Sequence, residues 1–201
     1  MWSEVAYPSR KSLLSWTLDL QARLLFFKDW IENGPPSVYW ISGFFFTESF
    51  LTGTLQNYAR KTRLPIDTLE FEIEVRSDIL PSEDTNFRHV EPPEDGCYIH
   101  GLFLEGAEWD ALAKVLKDPS PRELFYPMFP IWLKPVAKVM EKGVKKPLTY
   151  ECPVYKTSLR TGKLLNSGSS TNFVMSIKLP SKDPEKNWVK RGVALLTQLD
   201  D

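Results

Sequence analysis

The sequence predicts an α+β fold, with helices in the first third and an antiparallel sheet, curled into a barrel or a sandwich, in the rest. Two observations predict it. Apolar residues repeat with a helical period before about residue 65 and with a strand period after it. The segments with strand character also follow one another, which is typical of segregated α+β folds. We place the change near Pro65 to Thr68, which gives a helical subdomain over 1–66 and a β-barrel subdomain over 67–201.

The first helix is predicted between Ser12 and Asn33. Its apolar stripe consists of Leu13, Trp16, Leu20, Leu24, Phe27 and Ile31, widened by Leu14, Leu18, Leu25 and Trp30. Asp19 and Arg23 lie one turn apart, and we expect them to pair on the polar side of the helix. Gly34-Pro35-Pro36 should end the helix, because proline cannot continue its hydrogen-bond ladder.

A second helix is predicted to begin at Thr47, as N-cap, and to end before Pro65. Its apolar residues and its C-terminal cations fit that span: Phe50, Leu51, Leu55 and Tyr58, followed by Arg60, Lys61 and Arg63. Gly53 lies inside this helix, where glycine costs about 1 kcal/mol relative to alanine. We therefore expect another element to pack closely against Gly53.

The clearest strand is predicted at 69–75, where apolar residues alternate with Glu70, Glu72 and Glu74. Five further strands are predicted at 98–104, 128–133, 150–156, 173–179 and 193–198. The glutamates could in principle supply paired carboxylates for acid–base chemistry, but such a pair needs a cleft that separates the two pKa values. A solvated strand face, or a face that meets a basic partner, is the favoured interpretation.

Composition excludes several classes of protein. The 201 residues are 42% hydrophobic, which is enough for one core or for two small ones that share an interface. A net charge of -1, from 25 basic and 26 acidic residues, argues against a nucleic acid or an anionic membrane as partner. The local cluster of Lys138, Lys142, Lys145 and Lys146 is interpreted as a solvated loop. We expect a soluble, intracellular protein, since no secretory signal and no apolar run of membrane-spanning length is present.

The catalytic and metal-binding motifs are incomplete. The Gly162-Lys163 pair has Thr157 and Leu164 where a phosphate-binding loop needs glycine and a hydroxyl, so no nucleotide cofactor is expected. Ser167 lacks both flanking glycines of a nucleophile elbow, and Ser170 has Gly168 before it but Asn172 after it. We therefore expect no catalytic and no cofactor-binding residues in this protein.

Cys97 and His100 form half of a metal-binding motif and would point to opposite faces of a strand. A structural role is favoured for both, and no metal site is expected. Cys97 and Cys152, the two cysteines of the protein, are expected to be reduced thiols.

The strongest candidate for function is a partner interface at Trp40, Phe44, Phe45 and Phe46. Three consecutive phenylalanines between two helices cannot all point into one small core, so one or more should meet a partner. The alternative is that the cluster packs between the helices and the sheet.

Several segments together resemble the C-terminal domain of a dynein heavy chain. The clearest are the runs 40–46, 101–110 and 153–158. The others are 50–53 with 56–61, 170–173, 179–181, and Trp188 with 191–196. Along the sequence, from about Trp2 to Asp201, all of them occur in the order that the family shows. Relatives commonly carry histidine where this sequence has Ser169, so no role of that histidine is carried over. The start at Met1 is read as that of an excised fragment, with a native start left open.

The resemblance implies helices joined to an incomplete antiparallel β-barrel that caps the AAA+ ring of the same heavy chain without catalysis. It implies that the domain modulates a microtubule-stimulated ATPase within a dynein complex, in the cytoplasm and cytoskeleton. The segment 101–110 and the short tail resemble the axonemal branch of cilia and flagella, and 131–135 resembles inner-arm chains.

Two alternatives stay open at this point. One is a carrier of a small apolar ligand, with a barrel cavity lined by residues such as Phe71, Phe103 and Trp132. The other is a hydrolase that uses residues such as His100, whose activity would vanish in a His100→Ala variant.

Overall fold

The computed structural model describes residues 7, 9–80, 87–138, 148–160 and 172–199. Its helices are α1 (Leu13–Asn33), α2 (Thr47–Thr62) and α3 (Glu185–Arg191), with short 3-10 turns at Ile41–Gly43 and Ile66–Thr68. Its strands are β1 (Val38–Trp40), β2 (Leu69–Val75), β3 (Cys97–His100), β4 (Phe103–Glu105), β5 (Glu108–Asp110), β6 (Val115–Lys117), β7 (Phe125–Pro127), β8 (Ile131–Ala137), β9 (Thr149–Tyr155), β10 (Phe173–Pro180) and β11 (Ala194–Leu196). The predicted α+β class is confirmed.

The ends of α1 follow from local chemistry. The Ser12 hydroxyl accepts a hydrogen bond from the Ser15 amide at 3.4 Å, as an N-cap does. At the other end, Gly34 adopts a φ of 89° and donates its amide to the Trp30 carbonyl at 2.9 Å. Glycine reaches this conformation without a steric penalty, and the two prolines that follow exclude another turn.

Helix α2 differs slightly from the prediction. Thr47 is its first helical residue, and the position before it is held by Phe46, which has no polar side-chain atom to cap the helix. The prediction of Thr47 as N-cap is therefore wrong by one residue. The end is as expected, because Arg63 adopts a left-handed φ of 59° just ahead of Pro65.

The described strands form three sheets. Four strands pair in the order β1-β3-β8-β2, five in the order β10-β9-β11-β4-β7, and β5 pairs with β6. The expectation of an antiparallel sheet is only partly met, because β1 pairs with β3 and β11 with β9 in parallel. A parallel pair needs a long crossover, which is supplied through α2 and β2 in one case and through β10 and α3 in the other. These separate sheets form no closed barrel, so the incomplete barrel stays a prediction.

Strand β2 matches the predicted span, and its three glutamates are all exposed. The segment predicted at 98–104 is instead two strands, because Gly101 turns the backbone with a φ of 90°. The strand predicted at 128–133 lies later, as β8. The prediction missed β1, β5, β6 and β7, which at three residues each are too short to show an alternating pattern.

The main core joins the two larger sheets. Leu104, Leu133, Cys152, Ile177 and Leu179 in this core are completely buried. The same cluster includes Ile41 and Leu51 from the helical third of the sequence, so the subdomain boundary at residue 66 stays a prediction.

A smaller cluster lies on the opposite face of the first sheet and includes Val38, Ile79, Phe87 and Tyr98.

Candidate partner interface on the helices

Helix α1 has two apolar faces that differ in chemistry. The aromatic face carries Trp16, Phe26, Phe27 and Trp30 and packs toward the protein body. The opposite face, called here the outer face, exposes six large aliphatic side chains: Leu13 (65%), Leu14 (72%), Leu18 (57%), Leu24 (56%), Leu25 (65%) and Ile31 (85%). At 100° per residue these six positions fall within an arc of about 140°. The outer face is therefore rich in exposed aliphatic side chains, with Thr17, Gln21, Lys28 and Glu32 lying between them in the same arc.

The pair of Asp19 and Arg23 lies on the buried side of α1. Arg23 is only 1% exposed, and its Nε donates to the Asp19 carboxylate at 2.6 Å. Its guanidinium lies 4.2 Å from the centre of the Tyr7 ring, and the Tyr7 hydroxyl also donates to Asp19. The pairing is as expected, but its placement on the polar side of the helix is wrong. Aromatic rings and a cation–π contact cover the guanidinium from solvent.

The aromatic face of α1 packs against the run that the sequence singled out. The Phe26 ring lies 5.7 Å from Phe44 and 6.0 Å from Trp40, edge to face in both cases. Phe44 also stacks on Phe50 of α2 with 4.3 Å between ring centres. Phe44 therefore points inward and packs against the main core.

Phe45 and Phe46 point the other way. Phe45 is 38% exposed and Phe46 is 75% exposed. The three phenylalanines thus divide, with Phe44 toward the core and Phe45 and Phe46 exposed, so the alternative of packing between the helices and the sheet applies to Phe44. Whether Phe45 and Phe46 contact a partner stays a prediction.

Trp40 is held by two glycines. A methyl group placed at Gly43 would lie 2.6 Å from the Trp40 ring, and one placed at Gly101 would also lie 2.6 Å from it. No side chain fits at such distances, so both glycines are required where they are. Half-buried between them, Trp40 has a structural role and also lines an open groove of about 600 Å³ with Phe26 and His100.

A second groove runs between α1 and α2. One part, of about 360 Å³, is lined by phenylalanines that include Phe45 and Phe46. It shares Trp30 and Phe50 with a neighbouring part of about 390 Å³ that reaches Gly53. A methyl group placed at Gly53 would have no atom within 4 Å, so the expectation of close packing there is wrong. Gly53 leaves open space beside aromatic rings.

Of the residues considered for catalysis or metal binding, Cys97 is buried, whereas His100 is half-buried and lines the open groove beside Trp40. Burial raises the pKa of the Cys97 thiol to about 12 and lowers the pKa of the His100 imidazole to about 4. The Cys97 Sγ contacts the Thr54 hydroxyl at 4.0 Å, whereas His100 packs on the Phe87 ring with 4.8 Å between centres. Each group contacts neighbours of its own, and neither is held ready for proton transfer or nucleophilic attack.

In the ranges that the structure describes, no three His, Cys, Asp or Glu side chains converge to hold a metal ion. Glu72 on the exposed strand face pairs with Lys134 at 3.5 Å, which fits a solvated surface. Gly162-Lys163, the serines at 167–170 and the lysines at 142, 145 and 146 lie outside the described residues. Both cysteines are free and buried, as expected.

None of the helices within the described ranges combines the length and the apolar character that crossing a bilayer requires.

The outer face of α1 was missed as a functional surface. The signal was present in the sequence, because the helix carries eleven large apolar residues spread over more than half its circumference. A helix with so wide an apolar surface needs cover on two sides. Assigning ten of them to one widened stripe left the second face unrecognised.

Comparison of the sequence with known proteins identifies a family. The family model for the C-terminal domain of the dynein heavy chain matches residues 1–197. Among curated relatives, dynein axonemal heavy chain 1 of Mus musculus is 48% identical over 200 residues, which is 100% of this sequence and 4% of the relative. Dynein axonemal heavy chain 3 of Mus musculus is 51% identical over 203 residues (100% of this sequence and 5% of the relative). Dynein axonemal heavy chain 12 of Homo sapiens is 49% identical over 201 residues (100% and 6%).

The protein thus spans about one twentieth of the length of the curated relatives that it matches. Its helices, its sheets and the match over nearly all its residues identify what kind of module it is. It belongs to the family of C-terminal domains of dynein heavy chains.

Proposed function

We propose that this protein is the noncatalytic C-terminal domain of an axonemal dynein heavy chain, and that it packs on the AAA+ ring of the same heavy chain. In this role it modulates how the parent ATPase, which moves on microtubules, converts nucleotide turnover into force. The cytoskeleton of the cilium or flagellum is the corresponding location. The axonemal assignment is supported by relatives named as axonemal heavy chains at 48–51% identity.

The outer face of α1 is the observation that carries the proposal. Six large aliphatic side chains that are each more than half exposed lie on one side of a single helix. Full burial of such a side chain contributes about 1.5–3 kcal/mol, so six of them stay uncovered only at a considerable cost. Exposed apolar surface concentrated in this way marks an interaction site.

The chemistry of the outer face favours an apolar protein surface as its partner. Lys28 and Glu32, which lie among the leucines, pair with each other at 3.8 Å and leave the outer face without net charge. A neutral, largely aliphatic surface is suited to the face of another helix. Exposed Phe45 and Phe46 lie at the other edge of α1, beside the groove to α2, and extend the apolar surface.

A noncatalytic role is supported by the state of the reactive groups. The buried thiols and the half-buried imidazole have pKa values displaced away from neutrality in the direction that keeps them uncharged. Cys97 contacts the Thr54 hydroxyl and His100 packs on the Phe87 ring, so the thiol and the imidazole do not form a nucleophile–base pair. Any effect of the domain on ATP turnover is then exerted through contact with the ring.

The test uses the heavy-chain motor that carries this domain. A Leu18→Glu/Leu25→Glu variant places two charges on the outer face and should weaken the contact with the ring. Leu112→Glu is the matched control, because Leu112 is 98% exposed in the turn between β5 and β6. We expect the outer-face variant to change microtubule-stimulated ATPase activity and gliding velocity, and the control variant to match the unsubstituted motor.

A Phe46→Ser variant asks separately whether the aromatic edge takes part. If the outer-face variant and the control both behave as the unsubstituted motor, the outer face is not the docking surface. Thermal unfolding of each variant distinguishes a lost contact from a lost fold.

The carrier of an apolar ligand has no specific observation in its favour. Phe71 pairs with Pro135 on the face of the first sheet that meets the core, whereas Trp132 pairs with Glu74 on the exposed face. Because neighbouring residues on paired strands share a face, Phe71 and Trp132 lie on opposite sides of the sheet and cannot line one cavity.

A further inference from the structure

A small internal cavity lies where α1, the loop before α2 and the segment after β11 meet. Its volume is about 20 Å³, and its lining includes Arg23, Thr47 and Gln198. Tyr7, Phe44, Phe45 and Lys156 also line it. Residues from several segments that are distant in sequence therefore meet around one small space.

Two buried polar atoms at this cavity lack a partner. Neither the Nη2 of Arg23 nor the Oε1 of Gln198 has a hydrogen-bond partner among the described residues, and both atoms are buried. The rest of the guanidinium is occupied, since its Nε donates to Asp19 and its Nη1 reaches the Phe44 carbonyl at 3.5 Å. A buried donor or acceptor without a hydrogen-bond partner costs about 1–3 kcal/mol. A bound molecule that forms a hydrogen bond with each of these two atoms would remove this cost for both.

The charges around the cavity are already balanced. Arg23 pairs with Asp19 at 2.6 Å, and Lys156, which also lines the cavity, pairs with Glu48 at 2.9 Å. An anion would add an uncompensated charge to a buried space, which is unfavourable. The occupant should therefore be neutral.

The occupant must also donate to one atom and accept from the other. Guanidinium nitrogens only donate, and an amide oxygen only accepts. A water molecule does both, and it needs about 10–15 Å³ of cavity volume. The volume of about 20 Å³ fits one water molecule and leaves no room for an organic ligand.

We propose that this cavity binds a single structural water, which accepts a hydrogen bond from Arg23 Nη2 and donates one to Gln198 Oε1. The Thr47 hydroxyl, which lines the same space, offers a third partner. The water links α1 to the segment that follows the last strand and thereby holds the helix with the outer face against the sheet that includes β11. This site is independent of ring docking and can exist whether or not the outer face of α1 has a partner.

The direct test is a crystal structure of the protein at a resolution that shows ordered water. We expect one water oxygen within hydrogen-bond distance of both Arg23 Nη2 and Gln198 Oε1. A direct bond between these two side chains, or a cavity without density, would overturn the proposal. A second crystal soaked in bromide tests the neutral occupant, because an anomalous peak in the cavity would identify an anion site instead.

Two variants test the same bond in solution. Gln198→Leu keeps the bulk of the side chain but removes the acceptor, and we expect its unfolding midpoint to fall by about 2–6 °C. Gln198→Glu keeps an acceptor toward Arg23 but adds a negative charge to the balanced cavity, so we expect it also to lower the midpoint. Gln56→Leu is the matched control, because Gln56 is exposed on α2. Equal midpoints for Gln198→Leu and Gln56→Leu would contradict the water site.

Discussion

Arg23 and Asp19 lie one turn apart on α1 and form a 2.6 Å salt bridge on the buried side of the helix. Arg23 is 1% exposed and Asp19 12% exposed. Removing one partner of such a pair leaves an uncompensated charge in apolar surroundings, which costs about 3–5 kcal/mol. We expect Arg23→Met to lower the free energy of unfolding by that amount in urea titrations, and Arg23→Met/Asp19→Leu to recover most of it.

The control is Lys28→Met, which breaks a pair of the same spacing on the same helix. Lys28 and Glu32 are 65% and 57% exposed, and their 3.8 Å contact is open to water. Exposed pairs contribute little, so no measurable change in stability is expected. Equal losses for the Arg23 and Lys28 variants would contradict the distinction between buried and exposed pairs.

Alanine substitutions at Gly96 and at Gly53 should change the stability of the protein in opposite directions. Gly96 has a φ of 78°, and a methyl group there would lie 2.0 Å from the Leu133 carbonyl oxygen. Gly96→Ala should therefore disturb the pairing of β3 with β8 and destabilise the protein by about 1–3 kcal/mol or more. Gly53→Ala, inside α2 and facing open space, should stabilise it by about 1 kcal/mol.

The free energy of unfolding of both glycine variants is measured by denaturant titration, and the same dependence on denaturant concentration is used for each. A destabilised Gly53→Ala variant would mean that this part of α2 is packed against something, contrary to the structure. In the intact motor, Gly53→Ala also reports on the groove, because a partner segment that enters it would meet the added methyl group.

The lowered pKa of His100 should make the stability of the protein depend on pH. Burial lowers its pKa from 6.5 to about 4, so the unfolded state binds the proton more readily than the folded one between these values. Stability from this residue is therefore fully present above about pH 6.5 and is lost as the pH falls toward 4, by up to about 3 kcal/mol. Asp29, Glu32 and Lys28 line the same groove as His100.

The measurement is the free energy of unfolding between pH 7 and pH 4.5. His100→Gln should flatten this dependence, whereas His89→Gln, at the exposed second histidine, should leave it as in the unsubstituted protein. If His100→Gln retains the full slope, the carboxylates and not His100 account for it.

The two thiols should be unreactive in the folded protein. Burial raises the pKa of both Cys97 and Cys152 to about 12, so very little thiolate exists at neutral pH. We expect no labelling by a thiol-specific disulfide reagent at pH 8 within minutes, and two labels per molecule in denaturant. Rapid labelling of the folded protein at Cys152, which is 0% exposed, would contradict this burial.

The local sequence pattern was enough to predict the elements in which apolar residues repeat regularly over a long span. The bounds of α1 and β2 follow from hydrophobic period, from Ser12 at one helix end and from glycine and proline at the other. The three-residue strands carry no such repeat, because their pairing depends on partners far away in the sequence. β1 is the clearest case, since its neighbour β3 lies about 60 residues later and in parallel.

The candidate partner interface was likewise predictable from the sequence only in part. The run at Trp40 and Phe44 to Phe46 was found from its aromatic density, yet only contacts with Phe26, Phe50 and the two glycines separate Trp40 and Phe44 from the exposed pair. Gly53 was also interpreted only in part. The sequence shows that a glycine destabilises the helix, but only the structure shows the open space beside it.

The sequence by itself determined the α+β class, the long first helix, the alternating strand and the resemblance to a domain of dynein heavy chains, because these depend on local composition and order. Only the tertiary structure decided which face of α1 is covered. Both faces are apolar, so periodicity does not distinguish them. The aromatic face packs against Trp40 and Phe44 and encloses the Arg23–Asp19 pair, whereas the leucine face stays exposed.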